Sequence, residues 1–277
     1  MDLSGDGRDD DALRLYEQVL SLDPTRSTTL YNMGLVHKYR RNWESSLFYN
    51  MKAHELAPGD EAARWNLAIA ATALHRWDLA RATWRKCGIQ LDGGDGPIEM
   101  NLGMTPVRLN PDDKGEVVWA TRIDPVRARI ANIPFPESGF RAHDVVLHDG
   151  APVGTRNRDG REYPVFNVLE LFARSRLSTY VATVHAASVT RIEEATRIAA
   201  LRDILIEDWT GSVRIICRAC SEGTPHEDHR PDQTSDWTTE RRVGISASSQ
   251  TQVEELLAEL RHEALIDVVQ FSMALQA

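Results

Sequence analysis

Over roughly the first ninety residues apolar positions recur with the three-to-four spacing of a helix face, and further along the spacing changes to alternation. Ala12, Leu15, Tyr16, Val19, Leu20 and Leu22 form one helical stripe. A second run carries Leu30, Met33, Gly34 and His37, then Ser46, Asn50, Ala53 and Leu56, and ends at Pro58. A third carries Trp65, Leu67, Ala68 and Ala71, then Ala80, Trp84 and Cys87. Small residues (Gly34, Ala53, Ala68, Ala80) stand where two helix axes must approach closely, and bulky ones (Leu30, Leu67, Trp84) fill the holes beside them. Pro24 and Pro58 stand 34 residues apart (58 − 24), with the same helical pattern before each. The pattern predicts stacked pairs of antiparallel helices over residues 1–92. Residues 1–9 are too short and polar for a first helix, so the array is expected to start on a half repeat, and Cys87 is expected to be a small buried residue.

A 34-residue period with this order of large and small positions resembles the tetratricopeptide repeat family. The resemblance covers the N-terminal third and implies binding of a protein or peptide. In that family the first helices of successive repeats line the concave face, which places Tyr31, Leu35, Lys38, Trp65, Ile69 and Thr72 there. Aromatic rings beside a lysine suit an extended peptide or a helix. Packing of Tyr31 or Trp65 on a neighbouring repeat or on the following domain is the alternative. Asn32 and Asn66 recur at one place in both repeats and suit helix packing.

The run Asp92-Gly93-Gly94-Asp95-Gly96-Pro97 carries helix-stop and linker chemistry, so 93–113 is read as a linker. Strand-like alternation follows at Val117–Ala120, Ala128–Ile130, Asp144–Leu147 and Tyr163–Phe166, with turn residues at Pro134–Pro136, Asp149-Gly150 and Asp159-Gly160. Residues 114–176 are therefore expected to form a small β domain, similar in strand spacing to an SH3-like barrel. Residues 177–277 read as strand Tyr180–Ala186, a helix near 190–207 opened by the capping box Thr190-x-x-Glu193, strands Val213–Cys217 and Val243–Ala247, a helix opened by Thr251-x-x-Glu254, and strand Ile266–Met273. The order βαββαβ resembles the ferredoxin-like sandwich, with both helices on one face of an antiparallel sheet. The fold class is thus multidomain, α followed by α+β.

Composition narrows the function classes. The 277 residues are 42% hydrophobic, ordinary for globular domains, and carry a net charge of −9 from 41 acidic and 32 basic residues. That balance disfavours a nucleic-acid partner and is compatible with a basic protein. The opening MDLSGDGRDDD lacks the apolar core of a signal peptide, and no apolar run approaches the length of a membrane span. A cytoplasmic protein is expected. Three cysteines do not suggest a disulfide framework. The preference for arginine over lysine matches a GC-rich bacterial genome and carries no functional weight.

The sharpest chemical pattern is Cys217-x2-Cys220-x5-His226-x2-His229. Two thiolates and two imidazoles are a tetrahedral zinc set, and four protein ligands leave no open position, so the zinc would be structural. The alternative is a solvated acidic loop holding Glu222, Glu227 and Asp228. His148-Asp149 precedes Gly150 in an expected turn, which suits that turn better than acid/base work, and His185 suits a sheet face. Phosphate-loop, nucleophile-elbow and His-Glu-x-x-His patterns do not occur. The reading is a non-enzymatic interaction protein, such as an immunity or antitoxin protein covering a basic toxin, or an adaptor. The rivals are a zinc-dependent hydrolase or deaminase using His226 or His229 with Glu227, and a small-molecule sensor.

Overall fold

The computed structural model describes residues 8–113, 115–210, 237–263 and 265–277. The chain divides into two compact units, Met1–Leu102 with Ile123–Val126, and Gly103–Arg122 with Arg127–Ala277.

The first unit is a run of five helices: α1 (Asp9–Leu22), α2 (Ser27–Tyr39), α3 (Trp43–Leu56), α4 (Glu61–Ala73) and α5 (Trp77–Lys86). The backbone carries the 34-residue period. Helices α2 and α4 start 34 residues apart (61 − 27), and so do α3 and α5 (77 − 43). One turn joins each pair. Arg41 and His75 both take left-handed φ, 57° and 56°. Arg41 N–H donates to Lys38 O as His75 N–H donates to Thr72 O, and the next residues, Asn42 and Arg76, reach back to His37 O and Ala71 O. Left-handed backbone is uncommon outside glycine, so its recurrence at one offset marks a repeated structural unit.

Close axis approach explains the small residues. At Gly34 on α2 a methyl group would overlap the Asn50 amide of α3. Ser46 Oγ donates to Gly34 O at 2.9 Å, and Asn50 Nδ2 donates to Ser46 O at 2.8 Å, so the seam between these helices is hydrogen-bonded. In the second pair Trp84 is fully enclosed, edge-on to Trp65, and its indole N–H donates to Thr72 Oγ1 at 3.2 Å. Cys87, expected to be buried, is half-buried instead, because α5 ends at Lys86 and Cys87 is its C-terminal cap.

The segment expected as a linker is structured at both ends. Arg81 on α5, itself 3% exposed, donates to the carbonyls of Asp92, Gly96 and Pro97 at 3.0, 2.7 and 3.0 Å. Farther along lies a strand, β1 (Met104–Leu109), with Val107 and Leu109 fully enclosed.

In the second unit, β1, β2 (Glu116–Arg122), β3 (Arg127–Ile130), β4 (Val145–Arg158) and β5 (Arg161–Ala173) form a closed barrel in sequence order. Four neighbouring pairs are antiparallel, and a parallel β1–β5 pairing closes the ring (Val107↔Phe166). Alternate residues fill the interior: Val107, Leu109, Val118, Ala120, Ala128, Ile130, Val146 and Val168. Asp159-Gly160 turns the β4–β5 hairpin, and both residues have positive φ (53° and 76°) as a two-residue turn of this type requires. Asp149-Gly150 was expected to turn as well; β4 instead runs straight through it, and the extra residues are absorbed as bulges between His148 and Gly154.

The rest of the second unit is a four-stranded antiparallel sheet in the order β7-β8-β6-β9, from β6 (Ser178–His185), β7 (Leu205–Asp208), β8 (Glu240–Ala247) and β9 (Asp267–Leu275). Helices α6 (Val189–Ala200) and α7 (Gln250–His262) cover one face. Ile192, Ala195 and Ala199 from α6, and Val253, Leu256, Leu257 and Leu260 from α7, share one core with Tyr180, Ala182, Val184, Ile206, Val243 and Ile245. Both helices start before the capping boxes expected at Thr190 and Thr251. Ser188 and Ser249 are the N-caps, and Ser249 Oγ accepts from Gln252 N–H at 3.3 Å. Helix α6 also ends earlier than expected. Left-handed Asp203 (φ 56°) stops it, and Leu205, expected on the helix, opens β7. The strand expected at Val213–Cys217 lies outside the described residues.

The opposite sheet face meets the barrel through Trp209. Its indole N–H donates to Ile133 O at 3.1 Å, and its ring packs edge-on to Phe135. Gly244 on β8 admits that ring, since a methyl group there would overlap it.

Candidate functional site

Two regions hold the candidate residues. On the helical array, Tyr31, Leu35 and Trp65 are half-buried and keep accessible surface, whereas Ile69 and Thr72 are fully enclosed. Tyr31 packs beside the cluster of Leu30, Ala53 and Ala63. Lys38 is 2% exposed. Its ammonium donates to Asn66 Oδ1 at 3.2 Å and lies 4.6 Å from the centre of the Tyr39 ring. The structure thus joins Lys38 of one repeat to Asn66 of the next. Nearby, His37 stacks on Tyr49, and burial followed by the Arg40 charge holds its imidazole below the usual 6.5.

The second region lies on the barrel wall. Arg156 sits directly across the β4–β5 ladder from Tyr163, and Arg158 across from Arg161. Side chains opposite each other, or two apart on one strand, share a face, so these four form one strip. Trp119 of β2 joins it edge-on to Tyr163 at 5.1 Å. The Arg158 guanidinium lies over Trp119 and the Arg161 guanidinium over Tyr163, each 5.1 Å from the ring centre. Arg156 turns into a pocket of about 240 Å³ lined by Pro106, Val117, Trp119, Asn132, Asn157 and Glu207. The pocket wall is held from behind. Asn132 Oδ1 accepts from Trp119 N–H at 2.6 Å, while Glu207 on β7 accepts from Asn132 Nδ2 at 2.5 Å and from Ile133 N–H at 2.7 Å. Burial alone lowers the Arg156 guanidinium below its ordinary value.

Other candidates carry less. His148 is fully enclosed in β4, with Nδ1 2.7 Å from Asp149 O and its ring stacked on Phe166, while Asp149 Oδ1 accepts from Gly150 N–H. His185 ends β6 and lines an apolar cleft of about 480 Å³ with Ala186, Leu265 and Ile266. Cys217, Cys220, His226 and His229 lie outside the described residues. Among the described residues no group of three or more His, Cys, Asp or Glu is placed to hold a metal ion. None of the described helices is long and apolar enough to cross a membrane.

The barrel pocket was missed from sequence. Arg156, Arg158, Arg161 and Tyr163 alternate around an Asp-Gly turn, a legible sign of one shared face. Glu207 and Asn132 come from segments that only the tertiary fold brings there.

No protein-family model matches this chain, and no curated protein is similar to it. Among solved structures, one described as a novel crystal structure of a hypothetical protein from Neisseria gonorrhoeae is similar at 10% identity over 65% of this chain and 97% of its own, with a TM-score of 0.28. A likeness that slight carries no argument.

Proposed function

We propose that the protein is a non-catalytic interaction protein whose helical array, of tetratricopeptide type, takes up a protein or peptide partner. One observation carries the reading: helix starts, the left-handed turn residue and the turn hydrogen bonds all recur at 34 residues. Such arrays stack unit on unit and present an extended binding surface. Tyr31, Leu35 and Trp65 supply that surface, with Lys38, Ile69 and Thr72 packed behind them. A net charge of −9 suits a basic partner rather than nucleic acid, in the role of an immunity protein or an adaptor in the cytoplasm. In the same reading the barrel is SH3-like and the sheet with its two helices is ferredoxin-like, the latter supported by its strand order and by both helices sharing one face. The set Cys217, Cys220, His226 and His229 would hold a structural zinc.

Affinity capture with the full chain from its native host, followed by a binding titration, tests the proposal. A stoichiometric protein partner is expected, with the double variant Tyr31→Ala, Trp65→Ala losing about thirtyfold in affinity, as loss of an interface hot spot of about 2 kcal/mol gives. A folded double variant that binds as tightly as the parent removes the array from the interface. Zinc near one equivalent in protein purified without chelator, lost on Cys220→Ser with His226→Ala, checks the metal.

A further inference from the structure

The three arginines of the barrel strip differ in what meets their charge. Arg158 has the Trp119 ring and the Asp159 carboxylate at 3.7 Å, and Arg161 has the Tyr163 ring. Arg156 is more withdrawn from water than either neighbour, and among the described residues it makes no ion pair, hydrogen bond or ring contact. A half-buried guanidinium that lines a pocket and meets no carboxylate, carbonyl or ring of the described residues keeps its donors available to an anionic ligand. The pocket it enters is too small for a folded segment and large enough for a small organic molecule.

We propose that this pocket binds a small organic monocarboxylate, with the carboxylate on the Arg156 guanidinium and the hydrocarbon part against Val117, Pro106 and the Trp119 ring. The planar fork of arginine matches a carboxylate through two parallel hydrogen bonds. Glu207 decides between anions. It lines the same pocket, yet it does not pair with Arg156, and its carboxylate is already anchored by Asn132 and Ile133 N–H. A fixed negative charge on the wall repels a dianionic phosphate more than a singly charged carboxylate. The acid could be a free metabolite or the C-terminus of a peptide, since both present the same group.

The test is an NMR titration of the full chain with sodium benzoate, its neutral counterpart benzamide, and inorganic phosphate, read at the Trp119 indole N–H. Benzoate is expected to bind at least tenfold more tightly than benzamide and than phosphate. Arg156→Gln should abolish benzoate binding, and Arg156→Lys should weaken it at least tenfold because the bidentate geometry is lost. Arg158→Gln, on the same strip, should change it less than threefold. A short peptide with a free C-terminus, compared with its amidated form, separates the sources: stronger binding than benzoate, lost on amidation, points to a chain end, and weaker binding points to a free acid. Equal binding of benzoate and benzamide, tighter phosphate binding, no binding at about 10 mM, or an unchanged affinity in folded Arg156→Gln and Arg156→Lys overturns the proposal.

Discussion

Lys38 in the helical array is a buried cation and Arg156 in the barrel a half-buried one, and the two regions treat them differently. Lys38 meets Asn66 of the next repeat, one period further along, so its charge is consumed in holding repeat to repeat. Arg156 meets no such group among the described residues, although three elements of the barrel and β7 converge around it. A buried charge with a fixed partner serves the architecture, whereas a half-buried one that lines a pocket without a protein partner is open to the ligand proposed for it. In the proposed reading the array presents Tyr31 and Trp65 to a partner, and the barrel presents the Arg156 charge.

The largest expected effect concerns the architecture. Trp84→Ala removes an enclosed indole and its hydrogen bond to Thr72, and should destabilise the helical unit by about 3–5 kcal/mol in urea denaturation. Replacing either cation by an apolar side chain of similar length separates the two roles. Lys38→Met leaves the buried Asn66 carbonyl without its donor and should cost about 1–3 kcal/mol, whereas Arg156→Met removes an uncompensated charge and should cost less than about 0.5 kcal/mol or stabilise. Equal destabilisation by both would erase the distinction. A smaller effect follows from protonation. His37 and His54 are held below 6.5 mainly by burial, so the unfolded chain binds protons that the folded one does not. Their contribution is fully present above pH 6.5 and is lost as pH falls through the folded values. Stability of the helical unit should decline on acidification from about pH 7, and His37→Gln should flatten that decline; an unchanged profile in a folded variant would assign the acid sensitivity elsewhere.

What was legible in the sequence follows the range of the interactions. The helical period was readable because each helix pair is fixed by contacts close in sequence, from the Gly34 seam to the His75 turn. The barrel was readable where strands alternate and where Asp159-Gly160 forces a turn. Strand β1 was hidden because Thr105-Pro106-Val107 follows a glycine-rich stretch, and its place depends on pairing with β5 almost sixty residues away (Val107↔Phe166, 166 − 107 = 59). Strand β7 was hidden because Leu205 continues the apolar stripe of α6, and only the left-handed Asp203 separates the two. Capping boxes at Thr190 and Thr251 misplaced the helix starts because serines two residues earlier, Ser188 and Ser249, take the caps. Of the candidate sites, the array residues followed from the repeat. The pocket did not, because a missing partner is a property of three-dimensional surroundings.

Site-specific photo-crosslinking distinguishes the array from the sheet as the surface that engages the proposed protein partner. A photoreactive side chain at Leu35, half-buried on α2, should crosslink to the captured partner, and one at Val269, exposed on the edge strand β9, should not. Crosslinking from position 269 with none from position 35 would place the partner on the sheet and remove the array from the interface.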